Sequence, residues 1–246
     1  MRNFCVSLTS IPPRFDSLKK TLDSIYNQQI QPEKVFLNIP EKFKRFRNKN
    51  FDFDNLSKNY SNLELNKCED FGPGTKLLGS LQKISKFDYV ILVDDDHEYN
   101  NQMLKIFYEQ AEIDLNKSYS FCVYDILDCK IGQGADGFLI NTKYTNGMLK
   151  FYDKYVKNNP KLFLNDDLWI SVYLNKILKI NIESLFPLLK QSIFKRYKSI
   201  YSKHTQVGAI IETYSPIRKK ARELKFRENC DEYSLLKKLT KNFTII

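Results

Sequence analysis

Residues 89–100 read YVILVDDDHEYN. Five apolar, β-prone residues run straight into three consecutive aspartates, followed by a histidine and a glutamate. Carboxylates gathered at the end of a buried strand repel one another by roughly 1–4 kcal/mol per contacting pair, depending on the local dielectric. Such a cluster is tolerated chiefly where a cation offsets it, and a hard divalent metal is the natural candidate. Side chains alternate along an extended chain, so Asp94 and Asp96 are expected to face one way and Asp95 the other. That leaves one pair to hold metal and the middle residue to bind another group. The competing reading is a solvated acidic turn that caps a helix starting near Asn100.

Outward from this strand, the first half alternates short apolar runs with helical stripes. Residues 4–8 (FCVSL) form a first strand, and residues 16–27 place Leu18, Leu22 and Ile25 at helical spacing. Residues 35–37 form a second strand stopped by Pro40, residues 63–65 a third, and residues 75–85 a helix entered from Gly72-Pro73-Gly74. Residues 89–93 are then the fourth strand. This rhythm predicts an α/β fold with a mostly parallel central sheet and helices on both faces. Ligands in such sheets bind beyond the carboxyl ends of the strands, where Asp94 to Asp96 fall. Residues 41–59 are charged and aromatic without a period, and are expected to be a surface excursion. Further on, residues 102–115 read as helix, 120–124 and 137–140 as strands, a helix runs through Tyr155, and 166–179 is an amphipathic helix. Periodicity weakens after residue 180.

The chain has 246 residues, 42% hydrophobic and 14% aromatic, enough for one large core and unlike a disordered segment. No apolar stretch nears the roughly 20 residues that span a bilayer, and MRNFCVSLTS lacks a signal peptide's apolar core, which predicts a cytoplasmic protein. Five scattered cysteines without a C-x-x-C pair argue against a disulfide framework and against structural zinc. The net charge is +10, and residues 181–246 carry 14 Lys and Arg against 6 Asp and Glu. A basic C-terminal extension of this kind suits nucleic acid, a phosphorylated substrate or other anionic acceptor, or peripheral contact with an anionic membrane, or is simply a solvated surface.

Taken in order, VSLTSIPPR (6–14), LNIP (37–40), GPGTKL (72–77), LVDDD (92–96), GADGFLI (134–140) and NDDLWIS (165–171) resemble the successive landmarks of a GT-A-fold, family-2-like glycosyltransferase. The resemblance covers about residues 4–175 and implies a GT-A-type, Rossmann-like sandwich. Residues 1–180 would then be the catalytic domain, with residues 181–246 packing on it as a basic extension. It implicates Thr9, Ser10 and Arg14 in cradling the nucleotide and Asn38 in recognising the base, where many relatives carry aspartate. Lys76, at a helix start behind two glycines, would meet base, ribose or diphosphate, since such turns favour anions.

The aspartate triplet resembles the D-x-D motif. Asp96 would bind Mn²⁺ or Mg²⁺ directly, Asp94 or Asp95 would hold the ribose or a metal-bound water, and His204 would add a late ligand to metal or diphosphate. Asp166 and Asp167 are the candidates for general base, Asp167 preferred, with helix capping as their plainer reading. Trp169 is placed to stack on a sugar or to fill core, and Asp136 is expected in a turn near the acceptor or donor sugar, or in a plain turn. His97 is expected to point away from the metal. The implied reaction moves a sugar from a nucleotide-diphosphate sugar, UDP-sugar favoured, to a hydroxyl of a glycan or glycoconjugate, with inversion.

Rival classes fit less well. A haloacid-type phosphatase needs Thr or Val where Glu98 stands, and a sugar-nucleotide pyrophosphorylase needs a Gly-rich basic signature that IPPRFDSL does not supply. A nucleic-acid binder would need a recognisable module, and a bare aspartate cluster repels phosphate.

Overall fold

Strands and helices alternate from the first residues. β1 (Phe4–Thr9) leads through a 3-10 turn over Pro12–Ser17 into α1 (Leu18–Tyr26), which buries Leu18, Leu22 and Ile25. β2 (Lys34–Pro40), α2 (Phe53–Ser57), β3 (Leu63–Cys68), α3 (Thr75–Leu78) and α4 (Leu81–Ile84) precede β4 (Tyr89–Leu92). Beyond the aspartates come β5 (His97–Glu98), α5 (Met103–Ile113), β6 (Ser118–Ser120), β7 (Val123–Ile126) and β8 (Cys129–Gly132). β9 (Phe138–Asn141), α6 (Met148–Tyr155), α7 (Pro160–Phe163), α8 (Asp166–Val172), β10 (Ile182–Ser184), β11 (Lys203–His204) and α9 (Pro216–Leu239) complete the order. The computed structural model describes residues 2–135, 137–185, 203–204, 216–241 and 243, without the side chains of 203–204 and 216–227.

Seven strands form one sheet in the order β10-β6-β9-β4-β1-β2-β3. β1 runs parallel to β2 and β4, β2 to β3, and β6 to β10, while β9 lies antiparallel between β4 and β6. Pleating sends alternate side chains to opposite faces. Val6, Leu8, Tyr89, Ile91 and Val93 pack with α1 and α5 in one core. Cys5, Val90, Leu92, Phe138 and Ile140 pack with α6 and α8 in the other. Burial on both faces is why these runs are apolar without alternation. The four parallel strands β1 to β4 therefore open their carboxyl ends along one edge.

Three elements depart from expectation. The helix over 75–85 breaks at Gly79, whose carbonyl accepts the Asn66 side-chain amide instead of continuing the helical ladder. The strand expected over 120–124 ends at Ser120, and the chain forms the β7–β8 hairpin, turning at Leu127 with φ 53°. The helix over 166–179 relaxes into a π turn over Tyr173–Ile177.

At the C-terminus, Tyr233 and Leu236 of α9 are buried in the second core. Asn165 donates from Nδ2 to Asn229 Oδ1 at 2.9 Å and Glu232 Oε2 at 2.6 Å, and Tyr233 donates to Asp128 Oδ1 at 2.6 Å. Residues 186–202 and 205–215, with much of the basic extension, lie outside the described residues.

Candidate active site

β4 stops at Leu92, and residues 94–96 turn into β5 instead of continuing extended. The expected alternation of the aspartates therefore fails, because it holds only for extended chain. Asp95 and Asp96 instead meet the same guanidinium: Arg14 Nη1 lies 2.7 Å from Asp95 Oδ1 and Nη2 lies 3.0 Å from Asp96 Oδ2. Ser10 Oγ donates to Asp95 Oδ2 at 2.5 Å, and Thr21 Oγ1 donates to the Asp95 carbonyl at 2.8 Å. Burial raises the Asp95 carboxyl above its ordinary value against the pull of Arg14 and Ser10. Asp96 is turned behind Arg14 and meets His97 Nδ1 at 2.6 Å.

Asp94 faces the other way, toward Lys76. The Lys76 ammonium donates to Asp94 Oδ1 and lies 3.0 Å from Asp166 Oδ2. α3 delivers this lysine from a tight entry. Gly72 takes φ +64°, and a side chain on Gly74 would meet the Trp169 ring at 2.5 Å, so α3 seats directly on α8. Burial opposes the charge on Lys76, but Asp166, Asp94 and Asp167 hold its ammonium well above the ordinary lysine value. Asp167 accepts the Gly134 N–H at Oδ1, 2.8 Å away. Burial first, then the charge of Asp166, raises the Asp167 carboxyl well above the usual range, while Lys76 and the Gly134 N–H pull it down. Tyr99 ties the two halves together: its hydroxyl accepts the Asp94 N–H at 2.9 Å and contacts the Ala135 carbonyl at 3.0 Å.

These groups line one cleft of about 310 Å³ at the carboxyl ends of β1, β2, β3 and β4. Thr9, Ser10, Arg14, Lys76, Asp94, Asp95, Asp166 and Asp167 all reach it. Asn38 does not. It is buried in the sheet, donating to Ser7 Oγ at 2.9 Å and the Leu8 carbonyl at 3.1 Å and accepting Asn66 Nδ2 at 3.1 Å, so its amide is occupied in holding β1, β2 and β3 together. Asp96 does not line the cleft either. Trp169 is fully buried, edge-on to Tyr152, so of its two readings the structure shows core packing. Asp136 lies outside the described residues, as does the side chain of His204; the backbone of His204 pairs opposite His97 in an antiparallel bridge.

The sequence reading missed the cleft's outer wall. Phe43, Arg45 and Phe46, from the segment taken as a surface excursion, line it beside Pro40 and Asp70. Their signal was present: basic and aromatic residues alternate in KFKRFRNK immediately after the strand that ends at Pro40.

Among the described residues, no three His, Cys, Asp or Glu side chains form a cage for a metal ion. The cleft instead offers carboxylate oxygens from Asp94 and Asp95, already balanced by Lys76 and Arg14. Hard oxygens from one or two carboxylates suit Mg²⁺ or Mn²⁺ when substrate phosphates complete the coordination. The residues fit a cation that arrives with a phosphorylated ligand.

No protein-family model matches the chain, and no curated protein matches it in sequence. Solved structures do match in fold. A mannosyltransferase from Pyrobaculum calidifontis, in complex with GDP-Man and Mn²⁺, superposes with a TM-score of 0.54 at 12% identity, covering 97% of this chain and 74% of that one. S. aureus TarS (1–349) superposes at 0.49 and 13% identity over 74% of this chain and 58% of its own. A 4-diphosphocytidyl-2C-methyl-D-erythritol synthase from Anaerococcus prevotii DSM 20548 reaches 0.47 at 12% identity, over 91% and 96%. With its seven-stranded, mostly parallel sheet and a cleft at the carboxyl ends of the strands, the chain has the fold of the GT-A-type glycosyltransferases.

Proposed function

We propose that the protein is a glycosyltransferase that moves a sugar from a nucleotide-diphosphate sugar, a UDP-sugar favoured, to an acceptor hydroxyl on a glycan or glycoconjugate. The observation that carries this reading is the meeting, in one cleft, of Asp94 and Asp95 from the end of β4 with Asp166 and Asp167 from the start of α8, bridged by Lys76. Two carboxylate pairs from separate elements, held next to each other by one lysine, allow a donor-binding role and a proton-accepting one in the same cleft.

In this reading Thr9, Ser10 and Arg14 hold the nucleotide at the β1 end. Asp94 and Asp95 would hold Mn²⁺ or Mg²⁺ together with the diphosphate, and a divalent cation bound there would supply Lewis-acid stabilisation of the departing diphosphate. Asp167 is the general base. Its raised proton affinity makes its ionised form a stronger base toward the acceptor hydroxyl, and the Gly134 N–H holds its carboxylate in place. Lys76 pairs with both Asp166 and Asp94 beside it. A general base acting on the acceptor hydroxyl corresponds to inversion.

Calorimetric titration of UDP and GDP with and without Mn²⁺, followed by a screen of nucleotide sugars for donor hydrolysis, tests the proposal. Nucleotide binding that strengthens with Mn²⁺ and hydrolysis of at least one donor are expected. A protein that binds neither nucleotide under any metal condition is not a nucleotide-sugar enzyme.

A further inference from the structure

The floor of the cleft is acidic. Asp70, Asp94, Asp95, Asp166 and Asp167 line it against Arg14, Lys76 and Arg45, and the first two of these cations are already engaged by carboxylates. Among the described residues Arg45 forms no ion pair. Its guanidinium carbon lies 5.1 Å from the centroid of the Phe46 ring, and both residues line the cleft.

The loop that presents them is tied to the body of the protein. The Lys44 N–H donates to Asp70 Oδ2 at 2.7 Å, Lys44 Nζ sits 5.0 Å from the centre of the Phe163 ring, and Lys49 pairs with Asp16 at 2.5 Å. Phe43 packs against Phe15 within the core at a centroid distance of 6.1 Å. An aromatic ring that carries a guanidinium over one face and keeps the other for stacking, above a floor that repels anions, selects a flat aromatic ligand that carries negative charge at one end.

We infer that residues 43–46 form a nucleotide-binding lip, in which Phe46 stacks on the base and Arg45 receives the phosphates. The inference rests on the nucleotide-sugar reading above, and it assigns base recognition to this loop in place of Asn38, whose amide is occupied inside the sheet. Base–aromatic stacking tolerates any base, because every base presents a π face. Affinity from this lip is therefore expected to be similar for UDP and GDP.

The test compares wild type, Phe46→Ala and Arg45→Gln in the full chain by calorimetry with UDP, GDP and inorganic pyrophosphate in Mn²⁺. Both side chains reach solvent at the lip, and unchanged thermal midpoints will show that the variants fold. Phe46→Ala should weaken both nucleotides about tenfold and leave pyrophosphate unchanged. Arg45→Gln should weaken nucleotides and pyrophosphate alike and flatten the salt dependence of binding. Wild type that binds UDP or GDP while both variants match it overturns the lip and leaves the nucleotide reading standing. Equal weakening of UDP and pyrophosphate by Phe46→Ala overturns stacking on the base. Wild type that binds neither nucleotide overturns both.

Discussion

A lysine ammonium that is 3% exposed keeps its charge only where carboxylates surround it, and Lys76 lies between Asp94 and Asp166. Removing one partner from such a buried group leaves the others uncompensated. Lys76→Met should therefore cost about 3–5 kcal/mol in urea unfolding, and Lys76→Met combined with Asp166→Asn should cost less than the single change. Equal losses would mean that the lysine acts through packing of its stem alone. Asp167 makes a second, pH-dependent prediction. Its folded-state proton affinity is raised, so between the ordinary carboxylate value and the raised one the folded protein holds more protons than the unfolded chain. Stability from this group is then fully present at low pH and lost as pH rises through the raised value. Asp167→Asn keeps an acceptor for the Gly134 N–H and removes the titration. Its thermal midpoint should exceed that of wild type at alkaline pH and converge with it in acid, while turnover falls about 10²–10⁴-fold and nucleotide affinity stays unchanged. Parallel pH profiles for the two proteins would exclude the raised carboxyl, and unchanged turnover would leave Asp167 a helix-start residue only.

α3 and α8 reach the cleft from distant parts of the sequence, and one close approach sets their spacing. Gly74 faces the Trp169 ring with no room for a Cβ. Gly74→Ala should cost about 1–3 kcal/mol by overpacking and shift Lys76 relative to Asp166; pairing it with Trp169→Phe should recover part of the loss, as denaturant midpoints will show. The sequence announced both helices, because Gly-Pro-Gly and a pair of acids mark helix starts by local rules. It did not announce their contact, which is long-range. The same division runs through the sheet. The apolar runs of β1, β2 and β4 were legible because burial on both faces leaves no polar alternation. The antiparallel direction of β9 was not, since strand composition does not encode direction. The β7–β8 hairpin was missed because Leu127 at positive φ carries none of the Gly or Asn signal that such turns usually show. For the cleft, Asp94 to Asp96, Asp166 and Asp167 were readable as runs of like charge. The partners that balance them, Arg14 and Lys76, were singled out for anion binding, and only the folded arrangement turns them toward the aspartates.

For the molecule as a whole, the C-terminal helix is where packing and the cleft meet. The second half of α9 buries Tyr233 and Leu236 against the face of the sheet that carries α6 and α8, and Glu232 takes a hydrogen bond from Asn165, the residue immediately before Asp166. This stripe was hidden in the sequence because it is narrow and surrounded by lysines and arginines. The ion pairs around Asp128 add little to the docking. That side chain is 55% exposed, and although the Tyr233 hydroxyl, Lys237 and Lys176 lower its proton affinity, solvent screens the pairs. Docking is therefore expected to rest on apolar burial, and high salt should barely change the unfolding midpoint. Tyr233→Ala should cost about 3–5 kcal/mol, as for other large aromatic truncations in a core. A chain ending at residue 227 should lose more, since it uncovers the whole face beneath the helix. The cleft residues expected to bind nucleotide come from β1, β4, α3 and the 43–46 lip, none of which touches Glu232 among the described hydrogen bonds. Turnover should thus fall in the truncated chain through displacement of Asn165 and the start of α8, with nucleotide affinity retained. Calorimetry and a donor-hydrolysis assay on the same preparation separate the two effects: a truncated chain with full turnover would make α9 a stabilising appendage, and one that also loses nucleotide binding would show that α9 supports the whole cleft rather than the base alone.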